Sequence, residues 1–420
     1  MKTFAYSMTA ALAFCLPQIS PAEQNDVLRY IDGRGEIRSA LEWSQTAAPM
    51  IIDFFDSQIY GEIPPRPDTV KFELLESSGD ALDGIAVRKQ YKITVGGKKG
   101  EHSFAVLVYL PKGGTGKIPT FVCPNFYGNH TLTTEKEVFL PTHYIRAENK
   151  NISRENARGT KAERIPVKEI VARGFGIATF CYNEGYPDYI TRDGAKDSIY
   201  KIFDDAQTPQ KTALAAWAWC NMRVLDLLET LPEIDAKKIA VVGHSRLAKT
   251  AFITGAHDKR FAYVCGNNGG AKTITLMPNL RFKFWFSKNI KRYTNTATTG
   301  VSQSELKKER DAALEIPPAD QWHLIACIAP RMLYIAGSSG DIYAQPDIQR
   351  EAAAKVSPAY RLFGAKNLPT QADLMSDKPF FGDIGFHIKE GPHSITPYDW
   401  NKFMDYAIAK GWKPSTKAKR

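Results

Sequence analysis

The residues with the clearest chemical potential surround Ser245, in the run GHSR at positions 243–246. An apolar stretch, residues 239–242 (IAVV), precedes the run, and a helical pattern follows at once. A serine at such a strand–turn–helix junction stands beside helix N-terminal N–H groups that can stabilise an oxyanion. Gly243 relieves crowding in the turn, although Leu247 replaces the second glycine of the common G-x-S-x-G pattern. The run predicts that Ser245 is a nucleophile; the alternative is a serine that only caps a helix.

A serine nucleophile needs a histidine base, which must come from the later part of the chain. In α/β-hydrolases the acid and the histidine follow the serine in that order, so only His323, His387 and His393 qualify. His393 lies in a turn-like segment before a final helical pattern, whereas His387 fits a strand and His323 opens an apolar helix. We therefore predict that His393 is the base.

The acid that orients this histidine is expected after the apolar strand at residues 332–336 (MLYIA). The glycine-rich run GSSGD at 337–341 follows that strand and ends in a carboxylate, which makes Asp341 the predicted acid. Asp347 is the next candidate, but its position fits a first-turn charge of the following helix.

The surrounding pattern predicts how these residues are positioned. Residues 27–60 form a helix-rich lead-in, and residues 69–110 alternate as strands do, with a hairpin turn at Gly97. Short apolar strands then alternate with helical patterns, which indicates a parallel sheet with crossover connections. These strands cover 120–123, 174–180, 239–242, 261–265 and 332–336, and a helix covers 212–231. We expect an α/β-hydrolase fold, a three-layer α/β/α sandwich with a mostly parallel central sheet, and an exposed polar insertion near 140–165.

The composition excludes several classes of protein. Of 420 residues, 43% are hydrophobic and 24% charged, which is typical of globular proteins and not of disordered, collagen-like or coiled-coil chains. The formal net charge of +10 is scattered and no nucleic-acid motif accompanies it, so we expect no nucleic-acid partner. An acidic polysaccharide fits the charge, and a monomer is the expected state.

The N-terminus predicts export. Lys2, the apolar stretch 8–16 and small residues before position 23 give residues 1–22 the form of a signal peptide, which leaves 23–420 as a single domain. The protein is then periplasmic or extracellular. A lipoprotein anchor at Cys15 is the alternative, which the bulky residue before that cysteine disfavours. No later stretch is long and apolar enough for a membrane span.

The cysteines and histidines give no metal-site pattern. Five cysteines remain after residue 22, with no C-x-x-C pair, and no H-x-x-x-H pair occurs. We interpret most of these cysteines as small buried hydrophobes and expect no cofactor.

The run GHSRLAK at 243–249 resembles the G-C-S-R-x-G-K motif of the glucuronoyl esterases, carbohydrate esterase family fifteen. The resemblance covers roughly residues 45–410. Further blocks that resemble the family are NNGGAK at 267–272, FWF at 284–286, DQWHLIA at 320–326, APR at 329–331, DIYAQP at 341–346 and HSITPYDW at 393–400.

Members of this family cleave the ester between a glucuronic acid on xylan and a lignin alcohol. The resemblance implies that Ser245 attacks the uronoyl carbonyl, that Arg246 stabilises the oxyanion, and that Lys249 hydrogen-bonds sugar hydroxyls. An arginine there offers five donors and a permanent charge, and a lysine one helical turn beyond Ser245 faces the same mouth. The alternative for Lys249 is a solvated helix charge.

The chain departs from the family pattern at three positions. Many members carry a glutamate where this chain has Asn268, whereas others place the acid in the later loop, as Asp341 does. The family's sugar-stacking tryptophan corresponds to Tyr343, and a histidine that usually follows Gln321 is Trp322. We expect Tyr343, Gln321 and Trp322 to contact the substrate.

Three functions therefore stay open. The first is a glucuronoyl esterase acting on uronic-acid-bearing plant polysaccharide esters. The second is an acetyl-type carbohydrate esterase of the same fold. The third is a carbohydrate-binding protein with a degraded site, which the complete set of Ser245, Asp341 and His393 disfavours.

Overall fold

A computed structural model describes residues 26–114, 116–189, 194–208, 210–269 and 319–415. The predicted signal peptide at 1–22, Cys15 and the family-like block at 284–286 lie outside the described residues.

One ten-stranded sheet organises the molecule, with strand order β1-β2-β3-β5-β4-β6-β7-β8-β10-β9. Strands β4 to β8 and β10 run parallel to one another, while β1, β2, β3 and β9 pair antiparallel at the two ends. The strands are β1 Thr69–Asp80, β2 Ala86–Gly97, β3 Gly100–Pro111, β4 Ile118–Asn125, β5 Gly176–Cys181, β6 Ile234–His244, β7 Tyr263–Asn267, β8 Met332–Ser338, β9 Phe380–Phe381 and β10 Gly385–Lys389.

Helices connect the strands and cover the sheet. The α-helical segments are α1 Ala40–Glu42, α2 Ala48–Phe55, α3 Ala81–Gly84, α4 Val167–Ala172, α5 Tyr182–Gly185, α6 Ala213–Glu229, α7 Arg246–His257, α8 Gln321–Ala326, α9 Pro346–Leu362, α10 Gln371–Met375 and α11 Pro397–Ala409. Trp43–Ala47 and Asp56–Tyr60 are π-helical, and Asn129–Leu132, Ala195–Asp197 and Ile199–Ile202 are 3₁₀-helical.

Two apolar cores lie on opposite faces of the sheet. Successive residues of a strand point to opposite faces, so Val241 packs into one core with α6 and α7, while its neighbours Ala240 and Val242 pack into the other with α4 and α11. Both faces are therefore covered by helices, which confirms the predicted three-layer α/β/α class.

The predicted strands are all present, and those expected at 120–123, 239–242 and 332–336 extend further than their apolar stretches. Strand β6, for example, begins at Ile234, five residues before the apolar run at 239–242. The strands expected at 174–180 and 261–265 begin two residues later, and the helix expected at 212–231 is shorter. The lead-in differs: its first helix begins only after Ser39, whose hydroxyl accepts a hydrogen bond from the Glu42 N–H in a capping box. Residues 26–37 before it form turns closed by the Arg29–Glu36 bridge.

Most residues of the polar stretch 140–165 are exposed or partly exposed. It consists of turns, and its apolar residues Ile145 and Ile165 are buried. Arg154 also ties the stretch together through the carbonyls of Pro141 and His143.

The five cysteines among the described residues are buried and unpaired, as predicted for small hydrophobes. Within the same part of the chain, the longest apolar helices fall short of what a membrane span requires.

Candidate active site

Ser245 occupies the turn that joins β6 to α7, at the carboxyl edge of the parallel strands. Its backbone angles, φ 58° and ψ −126°, are rare for a residue with a side chain and cost energy that the surrounding structure must supply. The Ser245 N–H donates to the Asn267 carbonyl at 2.9 Å, which fixes the turn to β7. A Cβ on Gly243 would overlap the Leu247 carbonyl oxygen, so this position requires glycine. Leu247, which replaces the second glycine of the common motif, points into the apolar core.

His393 and Asp341 form a hydrogen-bonded pair, with 2.6 Å between His393 Nδ1 and Asp341 Oδ2. Asp341 lies in the loop after β8, and its other oxygen accepts the N–H groups of Tyr343 and Ala344 at 2.8 and 2.9 Å. Burial alone would raise the pKa of Asp341, but the hydrogen bonds from His393 and from these N–H groups lower it. The carboxylate therefore stays charged and holds His393 with Nε2 as its basic nitrogen.

His244, the residue before Ser245, connects the pair to the serine turn. Its ring packs on the His393 ring with 4.7 Å between centroids. His244 Nδ1 lies 2.6 Å from Asn267 Oδ1. Burial, and then the nearby charges of His393 and Arg164, hold the pKa of His244 well below its usual range. The structure thus brings the predicted base and acid beside the residue that precedes Ser245.

Asp347, the alternative acid, has another role. It lies in the first turn of α9, is largely exposed, and pairs with Arg350 at 2.8 Å. The alternative bases are engaged elsewhere. His387 bonds Asp399 and Tyr334 at 2.9 and 3.0 Å, and His323 completes the capping box of α8.

Arg246 is the first residue of α7, and its guanidinium is held by Asp188. Arg246 Nη1 donates to Asp188 Oδ2 at 2.5 Å, and the same oxygen accepts the Tyr182 hydroxyl at 2.9 Å. Asp188 Oδ1 accepts Arg146 Nη1 at 3.1 Å. The Asp188 side chain is almost fully buried, while both arginines are partly exposed. Asp188 therefore fixes Arg246 beside Ser245 and holds Arg146 on the same carboxylate.

Lys249 lies one turn further along α7, and its side chain is buried. Its Nζ donates to Gln321 Oε1 at 2.9 Å. Burial lowers the pKa of Lys249 to about 8, although the nearby Asp320 carboxylate raises it. Lys249 is therefore not the solvated helix charge that was the alternative interpretation.

The three remaining predicted substrate contacts differ in their exposure. Tyr343 is 58% exposed, and its ring meets the His393 ring edge-to-face at 5.7 Å. Gln321 is buried, and its Nε2 has no hydrogen-bond partner within the residues described. Trp322 is buried in the apolar core, so only its similarly unpartnered indole N–H is available for a polar contact.

Asn268 and Lys389 join the loops that carry the base and the acid. Asn268 Nδ2 donates to Ser338 Oγ and to the Ser394 carbonyl, both at 3.0 Å. Lys389 Nζ donates to the same two groups, at 2.9 and 2.6 Å. Ser338 ends β8, before the Asp341 loop, and Ser394 follows His393. The side chains of Asn268 and Lys389 thus join the loop that carries His393 to the loop that carries Asp341.

Asp399 neutralises the buried Lys389. Its Oδ2 lies 3.1 Å from Lys389 Nζ, and its Oδ1 accepts Asn267 Nδ2 at 2.9 Å. Burial would raise the pKa of Asp399, but His387 and Lys389 lower it. The chain of contacts from His244 through Asn267 and Asp399 to Lys389 was not predicted, because its members are far apart in sequence. Asp188 was missed for the same reason.

Side chains that could bind a metal ion do not cluster in the described part of the chain. Among the residues that the structure describes, no three or more His, Cys, Asp and Glu side chains are close enough to hold a metal ion.

The sequence of this chain is similar to those of known esterases. A family described as "Glucuronyl esterase, fungi" matches residues 157–364. Carbohydrate esterase MZ0003, from an unknown prokaryotic organism, is 31% identical over 403 residues, which cover 91% of this chain and 88% of that protein. The chain belongs to the glucuronoyl esterases, carbohydrate esterase family 15.

Two further relatives support this assignment. The solved structure of a glucuronoyl esterase from Solibacter usitatus superposes with a TM-score of 0.81 at 28% identity, over 95% of this chain and 99% of that one. 4-O-methyl-glucuronoyl methylesterase 1 of Phanerochaete chrysosporium is 26% identical over 247 residues, 54% of this chain and 46% of that protein. This glucuronoyl esterase family member is an esterase with the α/β-hydrolase fold.

Proposed function

We propose that this protein hydrolyses esters of glucuronic acid or 4-O-methyl-glucuronic acid through a Ser245–His393–Asp341 triad and an acyl-enzyme. One observation carries the proposal: the His393–Asp341 pair packs on His244, directly beside the strained Ser245 turn. Membership of the glucuronoyl esterase family supports the choice of ester.

In the first half of the reaction, Ser245 Oγ attacks the uronoyl carbonyl carbon while His393 Nε2 takes the hydroxyl proton. The tetrahedral intermediate collapses, and the alcohol leaves with the proton returned by His393. In the second half, His393 deprotonates water, which attacks the acyl-enzyme carbonyl. The second tetrahedral intermediate collapses, His393 returns the proton to Ser245 Oγ, and glucuronate leaves. Asp341 stabilises the imidazolium that forms twice.

Arg246 stabilises the negative oxygen of both tetrahedral intermediates. Its charge is permanent, and Asp188 holds its guanidinium in place before substrate arrives. A preorganised donor needs no reorientation when charge develops, which is the main source of this kind of stabilisation.

Lys249 and Gln321 recognise the sugar ring. Lys249 Nζ donates to Gln321 Oε1, which turns the Gln321 amide, and the Gln321 Nε2 donors are unpartnered within the residues described. Buried unpaired donors are costly unless a ligand satisfies them. Exposed Tyr343, beside His393, offers the sugar an aromatic face.

The natural substrates are uronic-acid esters of plant polysaccharides, such as those joining xylan to lignin alcohols. An exported enzyme suits such a polymer, and the predicted signal peptide at 1–22 is consistent with export to the periplasm or beyond.

The test compares methyl glucuronate, methyl 4-O-methyl-glucuronate and nitrophenyl acetate as substrates. We expect kcat/KM for the two uronate esters to exceed that for the acetate. A preference for the acetate would support the acetyl-type esterase, and binding of uronate oligosaccharides without hydrolysis of any ester would support a degraded site.

A further inference from the structure

Two cations share one aromatic ring near the active site. Lys161 Nζ lies 5.1 Å, and Arg164 Cζ 5.4 Å, from the centroid of the Tyr127 ring. Tyr127 follows β4, and its backbone N–H donates to Asn125 Oδ1 at 3.1 Å. All three side chains are partly exposed, so solvent and ligands reach them.

Neither cation has a carboxylate partner within the residues described. Other arginines of the polar stretch 140–165 do have one: Arg146 pairs with Asp188, Arg154 with Glu148 and Arg158 with Glu155. Two positive charges on one ring repel each other, and the cation–π contacts leave their N–H donors unused. The arrangement is therefore favourable for an anion.

A series of ring contacts connects this pair to the catalytic histidine. Tyr127 meets Phe126 at 6.2 Å, Phe126 meets His244 at 6.4 Å, and His244 meets His393 at 4.7 Å between centroids. The charge of Arg164 also contributes, after burial and His393, to the lowered pKa of His244. The cations thus lie within reach of an oligosaccharide whose ester is at Ser245.

The backbone around the pair is held independently of its charged groups. The Arg164 carbonyl accepts Trp400 Nε1 at 2.9 Å, and the Arg164 N–H donates to the Lys161 carbonyl at 3.0 Å. Replacing either side chain leaves these hydrogen bonds in place, so such variants are expected to fold.

The esterified uronate that is cleaved has no free carboxylate. Recognition of that group therefore does not require the charges of Lys161 and Arg164. We propose that Lys161 and Arg164, placed on Tyr127, form a subsite for a second, unesterified uronate carboxylate of the same oligosaccharide. This subsite rests on the proposed function, and it makes an acidic, multiply substituted polysaccharide the preferred substrate.

The test uses two oligosaccharides that each carry one methyl-esterified glucuronate. In the first, a neighbouring glucuronate is a free acid; in the second, that carboxylate is reduced to a neutral alcohol. We expect the wild type to have a lower KM for the first, with similar kcat. The quantity compared is kcat/KM for the first substrate divided by kcat/KM for the second. In the double variant Lys161→Gln/Arg164→Gln, this ratio should fall about three- to tenfold, as expected for two partly exposed ion pairs. The same ratio should fall for the wild type in concentrated salt.

The control is Lys136→Gln/Lys150→Gln, which removes the same charge from two exposed lysines that precede the pair in sequence and should keep the wild-type ratio. An equal fall in the control would mean that the overall field, and not a subsite, attracts the acid. A wild type that does not distinguish the two substrates overturns the subsite alone. If the wild type hydrolyses neither oligosaccharide and also does not hydrolyse methyl glucuronate, the proposed function is wrong, and the subsite with it.

Discussion

Replacing Lys249 by methionine should weaken uronate esters selectively. Methionine keeps much of the length of this buried side chain but removes the charge and the donor to Gln321, which lies 2.9 Å away. A hydrogen bond from a charged donor contributes about 1.5–3 kcal/mol, and about 1.4 kcal/mol is a factor of ten. We therefore expect kcat/KM for methyl glucuronate to fall about ten- to a hundredfold. Nitrophenyl acetate, which has no ring hydroxyls, should be nearly unaffected.

The lowered pKa of Lys249 predicts that kcat/KM for methyl glucuronate falls at alkaline pH. Burial lowers the pKa of Lys249 to about 8, so the ammonium is present below this pH and is lost as the pH rises through it. In the wild type, kcat/KM for methyl glucuronate should fall above about pH 8 relative to that for nitrophenyl acetate. Lys249→Met, which has no proton to lose there, should not show this additional fall.

The assay is the ratio of kcat/KM for the two esters, measured from pH 6 to 9.5 for the wild type, Lys249→Met and Lys259→Met. Lys259 is an exposed lysine just beyond α7 and should leave the ratio at the wild-type value. Equal losses on both esters in Lys249→Met, or an unchanged fall at alkaline pH, would refute the assignment of Lys249 to the sugar.

Three further changes probe the parts around the nucleophile. Asp341→Ala should lower kcat on both esters on the order of 10²-fold by releasing His393; near-wild-type turnover would mean that another carboxylate orients the base. Asp188→Asn should lower kcat on both esters equally. The loss should be smaller than the roughly 10²- to 10³-fold that follows removal of an oxyanion donor. A change in kcat on one ester relative to the other would contradict this. Lys389→Met leaves the buried Asp399 without its cation and should cost about 3–5 kcal/mol of unfolding free energy in urea, whereas Lys410→Met, which breaks the partly exposed pair with Asp383, should cost at most about 1 kcal/mol.

Much of the fold, and the positions of the proposed catalytic residues at the ends of strands, could be predicted because their signals are local. The apolar run before Ser245 and the glycine-rich run before Asp341 each place a side chain at the carboxyl end of a strand. The lead-in was harder, because its apolar residues are helical in part and otherwise lie in turns closed by backbone hydrogen bonds, such as that from the Ile37 N–H to the Leu28 carbonyl.

The residues that hold the site together could not be found in this way. Asp188 meets Arg246 across 58 positions of sequence, and Lys389 is joined to Asn268 through Ser338 and Ser394. No spacing rule connects such residues, since their contacts arise from the order of strands in the sheet. A buried Lys389 in β10 resembles any strand residue until its partners are known.

The most direct test of this account is the turnover of Ser245→Ala on methyl glucuronate, with an unchanged thermal unfolding midpoint as evidence of folding. Because the triad acts as a unit, kcat should fall on the order of 10³-fold or more, and His393→Ala should match it. Retention of more than about a tenth of the wild-type activity by Ser245→Ala would contradict the assignment of the nucleophile, and with it the acyl-enzyme mechanism.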